Sequence, residues 1–325
     1  MTKGRPSTTP LLRSPQANSD SRVSRKGSYS GKLSPADKVV LTYLAIITAL
    51  VLASSQRVGL WWAVLSAHAI IVALIVAMAK LSRPLLAPPC QRIMGFIRGW
   101  YAVLLIPLMY KELTYLIPLV NPGDLDWQLA GMDYRMLGVH PTLWLERFNL
   151  PLVNELLLYA YVTFFFWPVA LGAVVWRKGR FATYHFLLFV FVLGFYLSYL
   201  GYLTVPALGP RFTLAEQQAA PLTGVLFFDT IQVTLNRLEQ VTRDCFPSGH
   251  TALTLLVVYY ARRFHRRTFW VMLIPAIGLV MATVLLRYHY LVDVLAGALL
   301  ALAVGLVARP LYQALGGATE SAGAR

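Results

Sequence analysis

The sequence predicts an all-α, polytopic membrane protein of about eight transmembrane helices, and three observations carry that prediction. Of 325 residues, 57% are hydrophobic and 13% are charged. Mean hydropathy is +0.59, high for a water-soluble domain. The apolar residues also gather into runs long enough to cross a bilayer. Those runs are continuous rather than alternating, which within hydrocarbon means helices rather than barrel strands.

The net charge of +15 does not point to nucleic acid. Much of the Lys and Arg lies in the amino-terminal tail and in short loops, where it sets membrane topology. Two cysteines, Cys90 and Cys245, are too few for a disulfide framework and fall on opposite faces of the expected topology. No cleavable signal peptide is expected, because the first apolar run starts too late.

Taken in order, residues 1–36 are rich in Ser, Thr, Pro, Lys and Arg and read as a disordered basic tail that meets anionic lipid headgroups. Apolar runs follow at 39–54, 60–79 and 100–120, with a basic, Pro-containing stretch between the second and third. Residues 121–149 are more polar and carry Asp124, Asp126, Asp133, Trp127 and Trp144. The tryptophans suit the headgroup level, so this segment reads as interfacial or re-entrant. Further runs cover 152–176, 182–205, 251–260, 269–286 and 290–308, with a long polar loop at 206–247. The membrane domain is expected over 37–310, followed by a disordered tail, 311–325. No internal repeat is visible.

Eight crossings put both termini on one side. With the basic tail in the cytoplasm, the internal loops 80–99, 177–181 and 262–267 hold the dense basic clusters, as the positive-inside rule requires. The same count puts Arg211, His250 and His289 together on the extracytoplasmic face of a plasma or inner membrane.

His289 and Asp293 are four residues apart and share a helical face. A carboxylate there can hold one imidazole nitrogen and leave the other basic. A buried ion pair between helices is the alternative, although ionisable pairs inside membranes are functional by default. Pro247-Ser248-Gly249-His250 precedes a span, with Ser suited to an N-cap and Gly admitting an anion to the helix terminus. The bland reading is a turn with a wetted histidine. Arg211, after Gly209-Pro210, and Arg287 each read as a snorkelling anchor or a phosphate clamp. Lys111 and Glu112 lie within an apolar run and read as an interhelical pair or as headgroup contacts. His68, His140, His185 and His265 lack such company and read as structural or exposed.

Pro247-Ser248-Gly249-His250, then His289 and Asp293 with Val294 and Gly297 behind them, resemble the type 2 phosphatidic acid phosphatase superfamily over about the last 130 residues. The resemblance places the catalytic core at about 180–310. It implies metal-independent phosphoryl transfer with no cofactor, on a lipid phosphate drawn from the membrane. His289 is then the nucleophile that forms a phosphohistidine, Asp293 its orienter and His250 the general acid. Arg211, Ser248, Gly249 and Arg287 hold the phosphate.

Two family cations are missing. The first-motif Lys falls on Thr204 and the third-motif Arg on Thr283, while Pro precedes Arg211 instead of following it. With Tyr110-Lys111-Glu112 and the region from Asp133 to Pro141, these departures look more like the inositol phosphorylceramide synthase branch. In that branch Arg287 supplies the missing cation, and Tyr110, Lys111, Glu112 and Asp133 are candidates for substrate binding. The reading is a lipid phosphate phosphatase. The alternatives are a phosphotransferase that moves a headgroup between lipids, and a lipid or ion transporter with a His289/Asp293 proton relay at mid-membrane.

Overall fold

A computed structural model of the chain describes residues 31–81, 88–239 and 243–318, which are helical with no strand among them. In chain order the helices are α1 (Pro35–Ala53), α2 (Trp61–Leu81), α3 (Pro88–Val120), α4 (Asp126–Leu137), α5 (Pro141–Trp144), α6 (Pro151–Val162) and α7 (Trp167–Arg177). They continue as α8 (Phe181–Thr204), α9 (Pro210–Thr213), α10 (Phe228–Glu239), α11 (Gly249–Phe264), α12 (Arg266–Leu285) and α13 (Leu291–Ala314).

Six of these, α1, α2, α3, α8, α12 and α13, are each long and apolar enough to cross a membrane. Counted as one span, a bent pair makes a seventh. The expected single run 152–176 is α6 with a 3-10 turn at Thr163–Phe165, then α7, bent by 48°. Pro168 accounts for the break, since it has no amide hydrogen and crowds the carbonyl of Phe164. The eighth expected crossing is α11, whose 16 residues rise about 24 Å, short of the full hydrocarbon thickness.

Helix α8 is the axis of the bundle. Buried residues make up 78% of its most apolar stretch, against 17% for α2, so α8 is wrapped by protein and α2 mostly faces outward. Tyr184 and Tyr199 of α8 donate their hydroxyls to the carbonyls of Gly99 and Ile106 in α3, at 2.9 and 3.1 Å. Helices α11, α12 and α13 pack around one another, and α6 lies along α12. Gly297 of α13 permits a close approach to α11. A Cβ there would run into the carbonyl oxygen of Ser248 at the start of α11.

Several expected boundaries move. The loop expected at 80–99 is helical from Pro88, with Arg98 paired to Asp37 at 3.3 Å, so its basic residues extend α3 instead of ending it. The tail expected to end at 36 gives way to α1 at Pro35. Ser34 and Asp37 close a capping box there, with Ser34 Oγ accepting from the Asp37 amide at 3.1 Å. Residues 1–30 of that tail lie outside the described residues. Helix α13 continues to Ala314, past the expected limit at 310, and 319–325 are not described. The polar loop 206–247 contains α9 and α10, and the segment 121–149 contains α4 and α5.

The two ends of the bundle differ. At one end Lys38 donates to the carbonyl of Leu315 and Arg180 to that of Phe264, beside Arg262, Arg263, Arg266 and Arg267. At the other end the start of α11, the start of α13 and the exit of α8 come together.

Candidate active site

Ser248 is the N-cap of α11. Its Oγ accepts from the Thr251 amide at 3.3 Å and from the Thr251 hydroxyl at 3.1 Å. Its own amide donates to the backbone carbonyl of Asp293 at 3.0 Å, which ties the first turn of α11 to that of α13. Ser248 therefore builds the cradle, with its hydroxyl already engaged. Gly249 is needed for a different contact, because a Cβ there would collide with the Tyr202 hydroxyl.

His250 follows, buried and clasped between Tyr161 and Phe164, with ring centroids at 4.5 and 4.3 Å. Its Nδ1 faces His289 Nε2 across 3.5 Å. The other nitrogen of each ring, His250 Nε2 and His289 Nδ1, is buried without a hydrogen-bond partner among the described residues. His289 Nδ1 lies 3.5 Å from Asp293 Oδ2, at the outer edge of hydrogen-bond reach. Asp293 is fully buried, and its Oδ2 also accepts from the Tyr290 amide at 2.9 Å, so one carboxylate caps α13 and backs the imidazole. Apo catalytic contacts are commonly long and tighten around substrate.

Arg211 is on the rim. Gly209, at φ +95°, turns the chain into α9, and a Cβ there would meet the Tyr288 carbonyl at 2.7 Å. The Arg211 amide donates to the Arg287 carbonyl at 3.0 Å. Its guanidinium lies 5.0 Å from the Tyr288 ring and donates to Asn236 Oδ1 at 3.0 Å.

Arg287, expected to hold phosphate, has its guanidinium engaged by protein groups. Its backbone is left-handed at φ +63°, a conformation costing about 1–2 kcal/mol in a residue with a side chain. Its guanidinium donates to Glu146 Oε1 at 3.0 Å, Gln218 Oε1 at 2.6 Å and the Ala220 carbonyl at 2.8 Å. These partners make it a strut between the site and the 218–220 loop. Burial lowers its pKa, and Glu146 partly restores it. Thr204 and Thr283, at the two positions expected to lack cations, return their hydroxyls to the carbonyls of Gly201 and Val280.

The remaining candidates separate. Tyr110 reaches the site, donating its hydroxyl to Asp244 Oδ2 at 2.5 Å. Lys111 is exposed on α3. Glu112 turns to α2, where its Oε1 meets His68 Nε2 at 2.9 Å while Thr48 holds the other ring nitrogen at 2.7 Å. It is the interhelical pair, and His68, expected to stand alone, is its partner. Asp133, expected at the substrate, has both carboxylate oxygens on backbone amides. Its Oδ2 and Oδ1 accept from the Leu291 and Val292 amides, both at 2.8 Å. Burial pushes its carboxyl up, against the pull of those two amides.

Asp126 was missed as a site residue. It accepts from the Leu208 and Gly209 amides and from the Tyr290 hydroxyl, each at 2.8 Å. Its spacing of seven from Asp133, two turns along one helical face, was the available signal. Tyr161, Tyr202 and Asp244 carried none.

A cavity of about 350 Å³ runs between α3, the α6–α7 elbow and α8. Its walls are apolar, including Val103, Pro107, Phe164, Val169, Leu188 and Phe195. Its polar end is formed by Tyr110, Tyr202, Asp244, Gly249 and His250. Among the described residues, Cys245, His289 and Asp293 also form a group whose ligand atoms lie within 4.8 Å of one another.

The family model of the PAP2 superfamily matches residues 128–307, more than half of the chain, from within α4 to within α13. No curated protein and no solved structure matches.

Proposed function

The chain belongs to the PAP2 superfamily of phosphatases and phosphotransferases, and from that membership we propose that it is a lipid phosphate phosphatase working through a phosphohistidine. The observation that carries the reading is the row His250 Nδ1, His289 Nε2, His289 Nδ1 and Asp293 Oδ2, with 3.5 Å at each of its two gaps. His289 Nε2 attacks phosphorus, the bond to the lipid oxygen breaks, and His250 gives that oxygen its proton. Water then attacks the phosphohistidine while His250 takes a proton back, and inorganic phosphate leaves. Asp293 holds the charge that develops on the His289 ring. The steps as written use side chains and water alone, so the proposal carries no metal requirement.

The apolar cavity ending on His250 supports a lipid tail as the handle. The dense basic clusters gather at the opposite end of the bundle, which supports a site facing away from the cytoplasm with both termini inside. His250 and His289 flank the first turns of α11 and α13, not their middles, which argues against a mid-membrane proton relay.

One observation favours the phosphotransferase reading close to the inositol phosphorylceramide synthase branch. The family's cations are replaced by Thr204 and Thr283, and Arg287 is committed to Glu146. Fewer free cations suit a singly charged phosphodiester better than a doubly charged monoester. Purified protein given labelled phosphatidic acid, or a labelled phosphodiester lipid with an alcohol acceptor, decides between them. Acid-labile, alkali-stable label on the wild type but not on His289→Ala is expected. Label retained by His289→Ala ends both versions.

A further inference from the structure

Cys245 has no part in the phosphoryl-transfer steps, yet its thiol is buried beside the nucleophile. Its Sγ, an imidazole nitrogen of His289 and a carboxylate oxygen of Asp293 lie within 4.8 Å of one another, all three residues buried. Among the described residues, His289 Nδ1 and Asp293 Oδ1 have no hydrogen-bond partner. The thiol makes only a weak contact, to the Tyr288 carbonyl at 3.3 Å. Gly209 keeps the space open, since a Cβ there would lie 2.9 Å from the sulfur.

One sulfur, one imidazole nitrogen and one carboxylate oxygen are ligands for zinc and its neighbours, with water completing a tetrahedron. Magnesium and calcium select all-oxygen sets and do not fit. We propose that Cys245, His289 and Asp293 form an inhibitory site for zinc-class divalent cations. On binding, the thiol proton leaves to solvent, sulfur and the carboxylate bond the metal, and His289 Nδ1 becomes a ligand. The ring proton then resides on Nε2, the nitrogen that must attack phosphorus. Metal and phosphoryl transfer exclude each other. The inhibition rests on the reading of His289 as nucleophile, whereas the metal binding does not.

The test uses the full chain purified in detergent. Cobalt(II) alone is titrated and read by its thiolate-to-metal absorption, and zinc is titrated into the phosphate-release assay. The expected result is a thiolate band that zinc displaces, together with inhibition that a chelator reverses. Cys245→Ser should keep phosphate release, lose the band and need at least about tenfold more zinc for half inhibition. Asp293→Asn keeps the thiol and should still lose most of the band. No thiolate band in the wild type, an undiminished band in Asp293→Asn, or equal zinc sensitivity in wild type and Cys245→Ser overturns the proposal. A chain that shows the band but releases no phosphate from any lipid keeps the site and sinks the phosphatase reading.

Discussion

Asp126 and Asp133 stand two turns apart on one face of α4 and hold different loops of the candidate site. Asp126 grips the Leu208 and Gly209 amides that lead into Arg211, and Asp133 grips the Leu291 and Val292 amides that follow His289. Helix α4 is therefore the brace that keeps the first and third motifs in register. Asp126→Asn and Asp133→Asn each replace one acceptor by a donor facing an amide. Each should cost about 1–3 kcal/mol of stability, read by thermal unfolding in detergent, and should lower kcat more than it raises KM. Unchanged kcat in both variants would remove the brace from the mechanism.

The two histidines should fail differently. His289→Ala is expected to lose about 10⁴-fold or more in kcat, because no covalent intermediate can form. His250→Ala should lose about 10²–10⁴-fold, the usual range for a general acid. Rapid-quench labelling separates them, with a trapped phosphoenzyme in the second and none in the first.

Gly297→Ala drives a methyl group into the Ser248 carbonyl and must push α13 away from α11. Activity should collapse with only part of the fold lost. Gly305→Ala, two turns further along α13, meets nothing within 4 Å. It should be neutral or stabilise by up to about 1 kcal/mol, as expected for Gly to Ala in a helix. Parallel melting curves and turnover rates make the comparison.

Arg287 and Glu146 are expected to couple in stability rather than in substrate binding. Arg287→Ala should cost about 2–3 kcal/mol through the lost charged hydrogen bonds. Adding Glu146→Gln should then cost much less than Glu146→Gln alone costs in the wild type. A thermal double-mutant cycle measures this. A large rise in KM for phosphate esters with no loss of stability would return Arg287 to the role of phosphate clamp.

Filling the apolar cavity should separate tail from chemistry. Leu188→Trp, in the cavity wall, is expected to raise KM for long-chain lipid phosphates while sparing kcat for a short-chain ester. Chain-length profiles of KM and kcat read the split.

The sequence carried the helical bundle because hydrocarbon demands continuous apolar runs, and it carried His289 and Asp293 because a spacing of four is a local relation. What it could not carry is long-range. The Arg287–Glu146 contact spans 141 positions and the His68–Glu112 contact 44. Neither partner's sequence neighbourhood announces the other. The break before Pro168 was hidden because the run 152–176 stays apolar across it, and hydropathy does not register a missing amide. Asp126 was missed, and Asp133 was expected at the substrate, for a related reason. Which backbone amides close around an acid is a long-range relation that its own segment does not carry.

The family match opens at residue 128, yet Val103, Pro107 and Tyr110 of α3 line one wall of the cavity that ends on His250. On the proposed function, α3 thus adds its share from outside the match to a wall that the matched stretch builds for the rest. Exchanging the first three helices for those of a relative should change which hydrophobic anchor is accepted while leaving the nucleophile, its acid and its cradle as they were.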